Sequence, residues 1–144
     1  MNRPSWDEYF MKIAEVVASR ATCPRASVGA VIVKNNRILA TGYNGALPVE
    51  KHCTEIGCQV VDNHCLRAIH AETNAVAQAA RICISIEHSR LYYYDSKKRP
   101  HGTCSKCEQL TKAAGIDAVY FLGDSGMIEA TTNIDYSRIP IWIP

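Results

Sequence analysis

Behind Ser5, the apolar residues Tyr9, Phe10, Ile13, Val16 and Val17 recur on one helical stripe, which predicts an amphipathic helix from about Trp6 to Arg20. Ser5, with Glu8 three residues on, supplies a capping box at its start. The run Val28-Gly29-Ala30-Val31-Ile32-Val33 has no polar face and predicts a buried strand. Lys34-Asn35-Asn36-Arg37 turns it, and Ile38-Leu39-Ala40-Thr41-Gly42-Tyr43 returns as a hairpin partner. Residues 44–66 then show neither period, and a loop of that length in a compact domain is functional or is held by something. Regularity resumes with an Ala-rich helical stretch from Ile69 to Ala80, which puts His70 and Glu72 in its first turn. Leu91 to Tyr94 predicts a short strand and Lys97 to Gly102 a polar loop. Cys104 to Ala114 predicts a helix ended by Gly115, and Ile116 to Leu122 another strand. The closing Ile139-Pro140-Ile141-Trp142-Ile143-Pro144 is apolar, but its prolines restrict it to an edge or packing segment.

Composition narrows the classes. A chain of 144 residues, 47% hydrophobic and 21% charged, is expected to form one globular domain over residues 1–144. The formal charge of +2, with no basic face, does not point to nucleic acid. No stretch approaches the ~20 apolar residues that cross a membrane. The start, Met1-Asn2-Arg3-Pro4-Ser5, leads into an amphipathic pattern rather than an apolar signal core, so a cytoplasmic protein is expected. There are seven cysteines, an odd number, which in a reducing compartment favours metal ligation or buried thiols over disulfides.

Two short motifs carry chemistry. His70-Ala71-Glu72 and Cys104-Ser105-Lys106-Cys107 together offer one imidazole, two thiolates and a carboxylate. Structural zinc fills four positions with protein, whereas catalytic zinc leaves one for water. Three ligands and a nearby Glu therefore match a metal that activates water, with Glu72 as the proton carrier. Two thiolates cancel the charge of Zn²⁺, and such a centre favours a neutral electrophilic carbon. Hydrolytic removal of an amino group from a pyrimidine or purine fits. Cys104 and Cys107 share one face at a helix start, and two helix N-termini converging on the ion would stabilise its anionic partners.

His-x-Glu followed by Cys-x-x-Cys resembles the signature of the zinc-dependent nucleotide and nucleobase deaminases. Gly42-Tyr43-Asn44-Gly45 and Ile69-His70-Ala71-Glu72-Thr73-Asn74-Ala75 narrow the resemblance to the deoxycytidylate (dCMP) deaminases. It runs from about Tyr9 to Tyr120. It implies a three-layer α/β/α sandwich with a mixed five-stranded sheet, as in cytidine deaminases. By resemblance, His70, Cys104 and Cys107 bind Zn²⁺ and Glu72 moves protons. Asn44 would bond the sugar, the Ala71 and Cys104 backbones would hold the base, and Tyr120 would touch substrate. The implied reaction converts dCMP to dUMP and ammonia. Members of this family are commonly homohexamers, activated by dCTP and inhibited by dTTP, with Mg²⁺ accompanying the triphosphate. The implied effector site uses Gly42, Tyr43, Asn44 and Gly45, with Arg25, His64 and Arg67. A strand-end turn with no ligand is the other account of these residues.

Several features stay open at this level. The family usually has Pro before the first zinc-ligating Cys, whereas this chain has Thr103, which is expected to cap the helix instead. The loop from Ser96 to Gly102 is basic and could grip a phosphate or simply be solvated; Ser105 and Lys106 are open in the same way. Cys23, Cys53, Cys58 and Cys65 could form a second, structural Zn²⁺ site, as in some relatives, or remain free thiols. Rival functions are a tRNA adenosine deaminase, a cytidine or cytosine deaminase, and a non-catalytic module binding zinc and nucleotides.

Overall fold

Helix α1 (Trp6–Ala18) begins with both halves of its capping box: Ser5 N–H donates to Glu8 Oε2 at 2.8 Å, and Ser5 Oγ accepts from Glu8 N–H at 3.2 Å. The structure is a computed structural model and describes residues 2–99 and 103–132. Strands β1 (Val28–Lys34) and β2 (Arg37–Tyr43) form the expected hairpin. Its two linking residues, Asn35 and Asn36, have φ of 51° and 57°, as a twist-matched two-residue turn requires. The segment that follows is short-range structure rather than open loop: helix α2 (Cys53–Ile56) and a two-stranded ribbon of β3 (Val60–Val61) and β4 (His64–Cys65). A backbone bridge between Gly45 and Ile69 closes its ends.

Next come α3 (Ala71–Arg81), β5 (Arg90–Asp95), α4 (Ser105–Ala113), β6 (Ala118–Leu122) and β7 (Ile128–Thr132). The main sheet has the order β2-β1-β5-β6-β7, and only β5 and β6 run parallel. The fold is thus the expected mixed five-stranded sheet between helices. Strand β7 was not anticipated, because a largely exposed edge strand reading Ile-Glu-Ala-Thr-Thr lacks an apolar signal. The apolar tail from Ile139 to Pro144 lies outside the described residues.

Alternation along the strands sorts the core into two layers. Val31, Val33 and Tyr92 face α1, where they meet Phe10, Met11 and Ala14. Ala30, Ile32, Leu91 and Tyr93 face the other way, towards Ala71, Ala75 and Ala79 of α3. Both helices lie unusually close to the sheet. A Cβ on Gly29 would strike the Ala14 carbonyl and Ala18 amide of α1, and one on Gly42 would strike the Ala71 carbonyl and Ala75 amide of α3. The Gly42 contact fixes the start of α3 against the end of β2, and the Gly29 contact fixes α1 against β1.

Candidate active site

His70 is the N-cap of α3, with φ −68° and ψ 152°, and does not lie in its first turn as the sequence pattern had it. The difference matters, because two residues within one helix point about 200° apart. An extended N-cap escapes that constraint, so His70 and Glu72 can address one site. Cys104 is likewise the N-cap of α4, with φ −70° and ψ 163°, and Cys107 follows in the first turn. His70 Nδ1 lies 3.4 Å from Cys104 Sγ and 3.3 Å from Cys107 Sγ. All three ligand atoms lie within 4.8 Å of one another. Thr103 does not cap the helix as expected: it stands one residue too early, and α4 has no side-chain cap bond.

The charges fit a cation. Glu72 is 2% exposed, and burial pushes its carboxyl up to about 7, against the pull of its own backbone N–H and of Cys107. Burial, followed by the charges of Glu72 and Cys104, holds the Cys107 thiol far above its ordinary range. Burial lowers His70, helped by the nearby positive charges of His64 and Arg99, which favours the neutral imidazole that ligates metals. One nitrogen and two sulfurs, with a buried carboxyl at hand, match zinc with a fourth position open to water. Thr73 adds a contact that the motifs did not reveal, with Oγ1 at 3.8 Å from Cys107 Sγ.

A cavity of about 360 Å³ opens beside this cluster. Ala71, Glu72 and Asn44 line it. The Asn44 side chain is already committed to backbone: Oδ1 accepts from Val28 N–H and Nδ2 donates to the Ala26 carbonyl, each at 2.9 Å. One amide hydrogen and one lone pair remain for a ligand. Tyr120 does not belong here. It pairs in register with Tyr92 and stacks on it at 4.9 Å, on the α1 side of the sheet. Tyr93, one residue along β5 and therefore on the opposite face, lines the cavity instead. Its hydroxyl reaches Asp95 Oδ2 at 3.5 Å. Strand alternation across Tyr92-Tyr93-Tyr94 was the available signal for this residue.

The residues expected to form a separate effector site are dispersed. Arg25, Asn44 and His64 line the same cavity as His70, and Arg67 does not. Gly42 is consumed by packing against α3, and Gly45 exchanges backbone hydrogen bonds with Ile69. Tyr43 is at the surface, and its carbonyl accepts from Asn74 Nδ2 at 2.7 Å. Close approach of the α3 backbone accounts for Gly42, and the Thr22 side chain, which a Cβ would strike, accounts for Gly45, without a nucleotide.

Of the five cysteines outside the His70 cluster, Cys53, Cys58 and Cys65 have their sulfurs within 4.8 Å of one another. Cys53 and Cys65 are 3.6 Å apart. Burial and the neighbouring thiols raise Cys53 to about 12. Cys65 falls to about 7 despite burial, because the backbone N–H groups of Ala68, Gln59 and Arg67 point at its sulfur. Burial raises Cys58, and Cys23 is near enough to add to that shift. Cys23 also lines the cavity, and all seven cysteines are free.

Residues 4–123 match the family described as the cytidine and deoxycytidylate deaminase zinc-binding region. The chain is 34% identical to the deoxycytidylate deaminase of Mycobacterium phage D29 over 87% of this chain and 100% of that protein. It is 40% identical to ComE operon protein 2 of Bacillus subtilis over 86% of this chain, and 44% identical to the deoxycytidylate deaminase of Saccharomyces cerevisiae over 55% of it. Those matches span only 62% and 27% of the bacterial and yeast proteins. The solved dCMP deaminase of cyanophage S-TIM5, in complex with dCMP and dUMP, superposes with a TM-score of 0.68 at 31% identity, over 84% of this chain and 83% of that one. Cytidine deaminase from Burkholderia pseudomallei, at 16% identity, shares the fold, with a TM-score of 0.60. With the His-Cys-Cys donor set and buried Glu72 at one cavity wall, and residues 4–123 covered by the match, this chain belongs to the cytidine and deoxycytidylate deaminase family of zinc hydrolases.

Proposed function

We propose that the chain hydrolyses dCMP to dUMP and ammonia. One observation carries this above the others: Glu72, 2% exposed, sits beside a one-nitrogen, two-sulfur donor set on the wall of a nucleotide-sized cavity. The phage relatives named for dCMP support the choice of substrate. His70, Cys104 and Cys107 would hold a zinc ion, which when bound would lower the pKa of a water so that it could attack C4 of cytosine near neutral pH. Glu72 takes one proton from that water and delivers it to ring N3. It then passes the second to the exocyclic amine, which leaves as ammonia while the C4 carbonyl forms. Burial keeps these protons from exchanging with bulk water. Asn44 orients the sugar, and the Ala71 and Cys104 backbones hold the base edge. The test is loss of ultraviolet absorbance on dCMP, deoxycytidine, cytidine and cytosine with zinc-loaded protein. A preference for dCMP is expected, and turnover of cytidine or cytosine above that of dCMP would overturn it.

Activation by dCTP and inhibition by dTTP, with Mg²⁺ on the triphosphate, in a cytoplasmic homohexamer, extend this proposal by resemblance to the family. A hyperbolic dCMP saturation curve that neither triphosphate moves would remove the regulation. A second zinc on Cys53, Cys58 and Cys65, with Cys23 completing the set, is supported by the three clustered thiols and by the N–H groups aimed at Cys65. The described residues include no helix long and apolar enough to cross a membrane.

A further inference from the structure

Inside a helix, a threonine hydroxyl ordinarily bonds back to a carbonyl three or four residues earlier. Thr111 does so: its Oγ1 donates to the Glu108 carbonyl at 3.0 Å, within α4. For Thr73 the carbonyl four residues back belongs to Ile69, and that oxygen accepts from the Gly45 N–H at 3.1 Å, outside the helix. The Thr73 hydroxyl instead reaches across to the neighbouring helix, with Oγ1 3.8 Å from Cys107 Sγ, a separation open to the larger radius of sulfur. Thr73 and Cys107 are each the third residue of a helix whose N-cap, His70 or Cys104, belongs to the metal cluster.

Cys107 is 3% exposed, so water is a poor substitute for the hydroxyl there. Its sulfur lies 3.3 Å from His70 Nδ1, within the cluster that would hold zinc. A sulfur bound to a metal is a thiolate with no proton to donate, so in the loaded protein only the hydroxyl can be the donor. Among the described residues that line the cavity, Cys104 is present, and Thr73 and Cys107 are not. Thr73 thus meets the cluster from outside the substrate space and is placed to act through Cys107. We infer that Thr73 is a positioning residue for the metal centre: its hydroxyl donates to the Cys107 thiolate, holds that side chain on the metal and draws electron density from the sulfur. This role rests on the zinc reading of His70, Cys104 and Cys107, and adds a residue that the His-x-Glu and Cys-x-x-Cys spacings do not contain.

Cobalt(II) serves as the probe, because its sulfur-to-metal charge-transfer absorption reports electron density on the ligating thiolates. Spectra of the cobalt-loaded protein are compared for wild type, Thr73→Val, Thr73→Ser and Thr111→Val. Valine keeps the shape and removes the hydroxyl, so the sulfur holds its electrons less tightly and the band is expected to move to longer wavelength. Serine keeps the hydroxyl and should return the band to its wild-type position. Thr111→Val removes a buried hydroxyl bonded to backbone and should leave the band unmoved. Any cobalt on Cys53, Cys58 and Cys65 contributes equally to every variant and cancels in the differences. Chelator-buffered zinc is also added back to metal-free protein. The free zinc that restores half of the dCMP turnover should rise about tenfold or more in Thr73→Val, the usual cost of losing a partner that orients a metal ligand. A band unmoved in Thr73→Val, a shift that persists in Thr73→Ser, or an equal shift in Thr111→Val overturns the role of Thr73 and leaves the zinc reading intact. A wild type with no sulfur-to-cobalt band overturns the zinc reading and the role of Thr73 with it.

Discussion

Glu72 and Cys107 act on one another through charge: burial and then the Glu72 carboxylate hold the Cys107 thiol far above its ordinary range, while burial raises Glu72 itself to about 7. The two groups cannot both ionise comfortably until a cation joins them. Zinc uptake must therefore expel protons. The apparent zinc affinity is expected to climb by more than about tenfold per pH unit between roughly pH 6 and 8, measured by competition with a chelator of known protonation. An affinity flat with pH would mean that the thiols are already ionised without metal.

The raised carboxyl has a consequence for the metal-free protein. Glu72 titrates near 4.5 when unperturbed and at about 7 in the fold, so the folded state binds the extra proton between those values. Its penalty is absent below the unfolded value, grows with rising pH, and is complete above the folded one. At about 1.4 kcal/mol per pH unit, the full penalty is on the order of 3 kcal/mol. Metal-free Glu72→Gln should therefore melt above wild type at pH 8 and lose that advantage near pH 4.5. Thermal scans across this range check the sign.

Gly42 separates packing from ligand binding. A methyl group there meets the backbone of α3 at Ala71 and Ala75, which cannot yield as a side chain would. Gly42→Ala should cost about 1–3 kcal/mol in urea unfolding. Unchanged stability combined with a lost response to triphosphates would return Gly42 to the effector site.

Tyr93 and Tyr120 provide a matched pair on opposite faces of the sheet. Tyr93→Phe removes a hydroxyl from the cavity side and should lower kcat/KM for dCMP several-fold. Tyr120→Phe, on the α1 face against Tyr92, should stay within about twofold, as expected of a substitution remote from the site. The reverse ranking would mean that the substrate reaches the α1 side of the sheet.

Much of this was readable in the chain before the fold was known. The stripe behind Ser5, the Val28–Val33 run and the stop at Gly115 located their elements because each rests on local chemistry: periodicity, β-branching, and a residue at φ 88°. The zinc donors were legible for a similar reason, since metal ligation restricts residue type and spacing. What the chain hid was set by tertiary contact. His70 as N-cap rather than first-turn residue depends on backbone angles. The packing need for glycine at Gly42 and Gly45 depends on α3 and Thr22 lying against them. Strand β7 went unnoticed because an edge strand needs no apolar face.

Glu72→Gln, assayed for zinc content and dCMP turnover in the same preparation, tests the assigned chemistry most directly. The variant should retain metal at His70, Cys104 and Cys107, because Glu72 is not among the ligands, and turnover should fall by about 10²–10⁴-fold, the usual contribution of a positioned proton carrier. Turnover within about tenfold of wild type, with zinc still bound, would contradict the role given to Glu72.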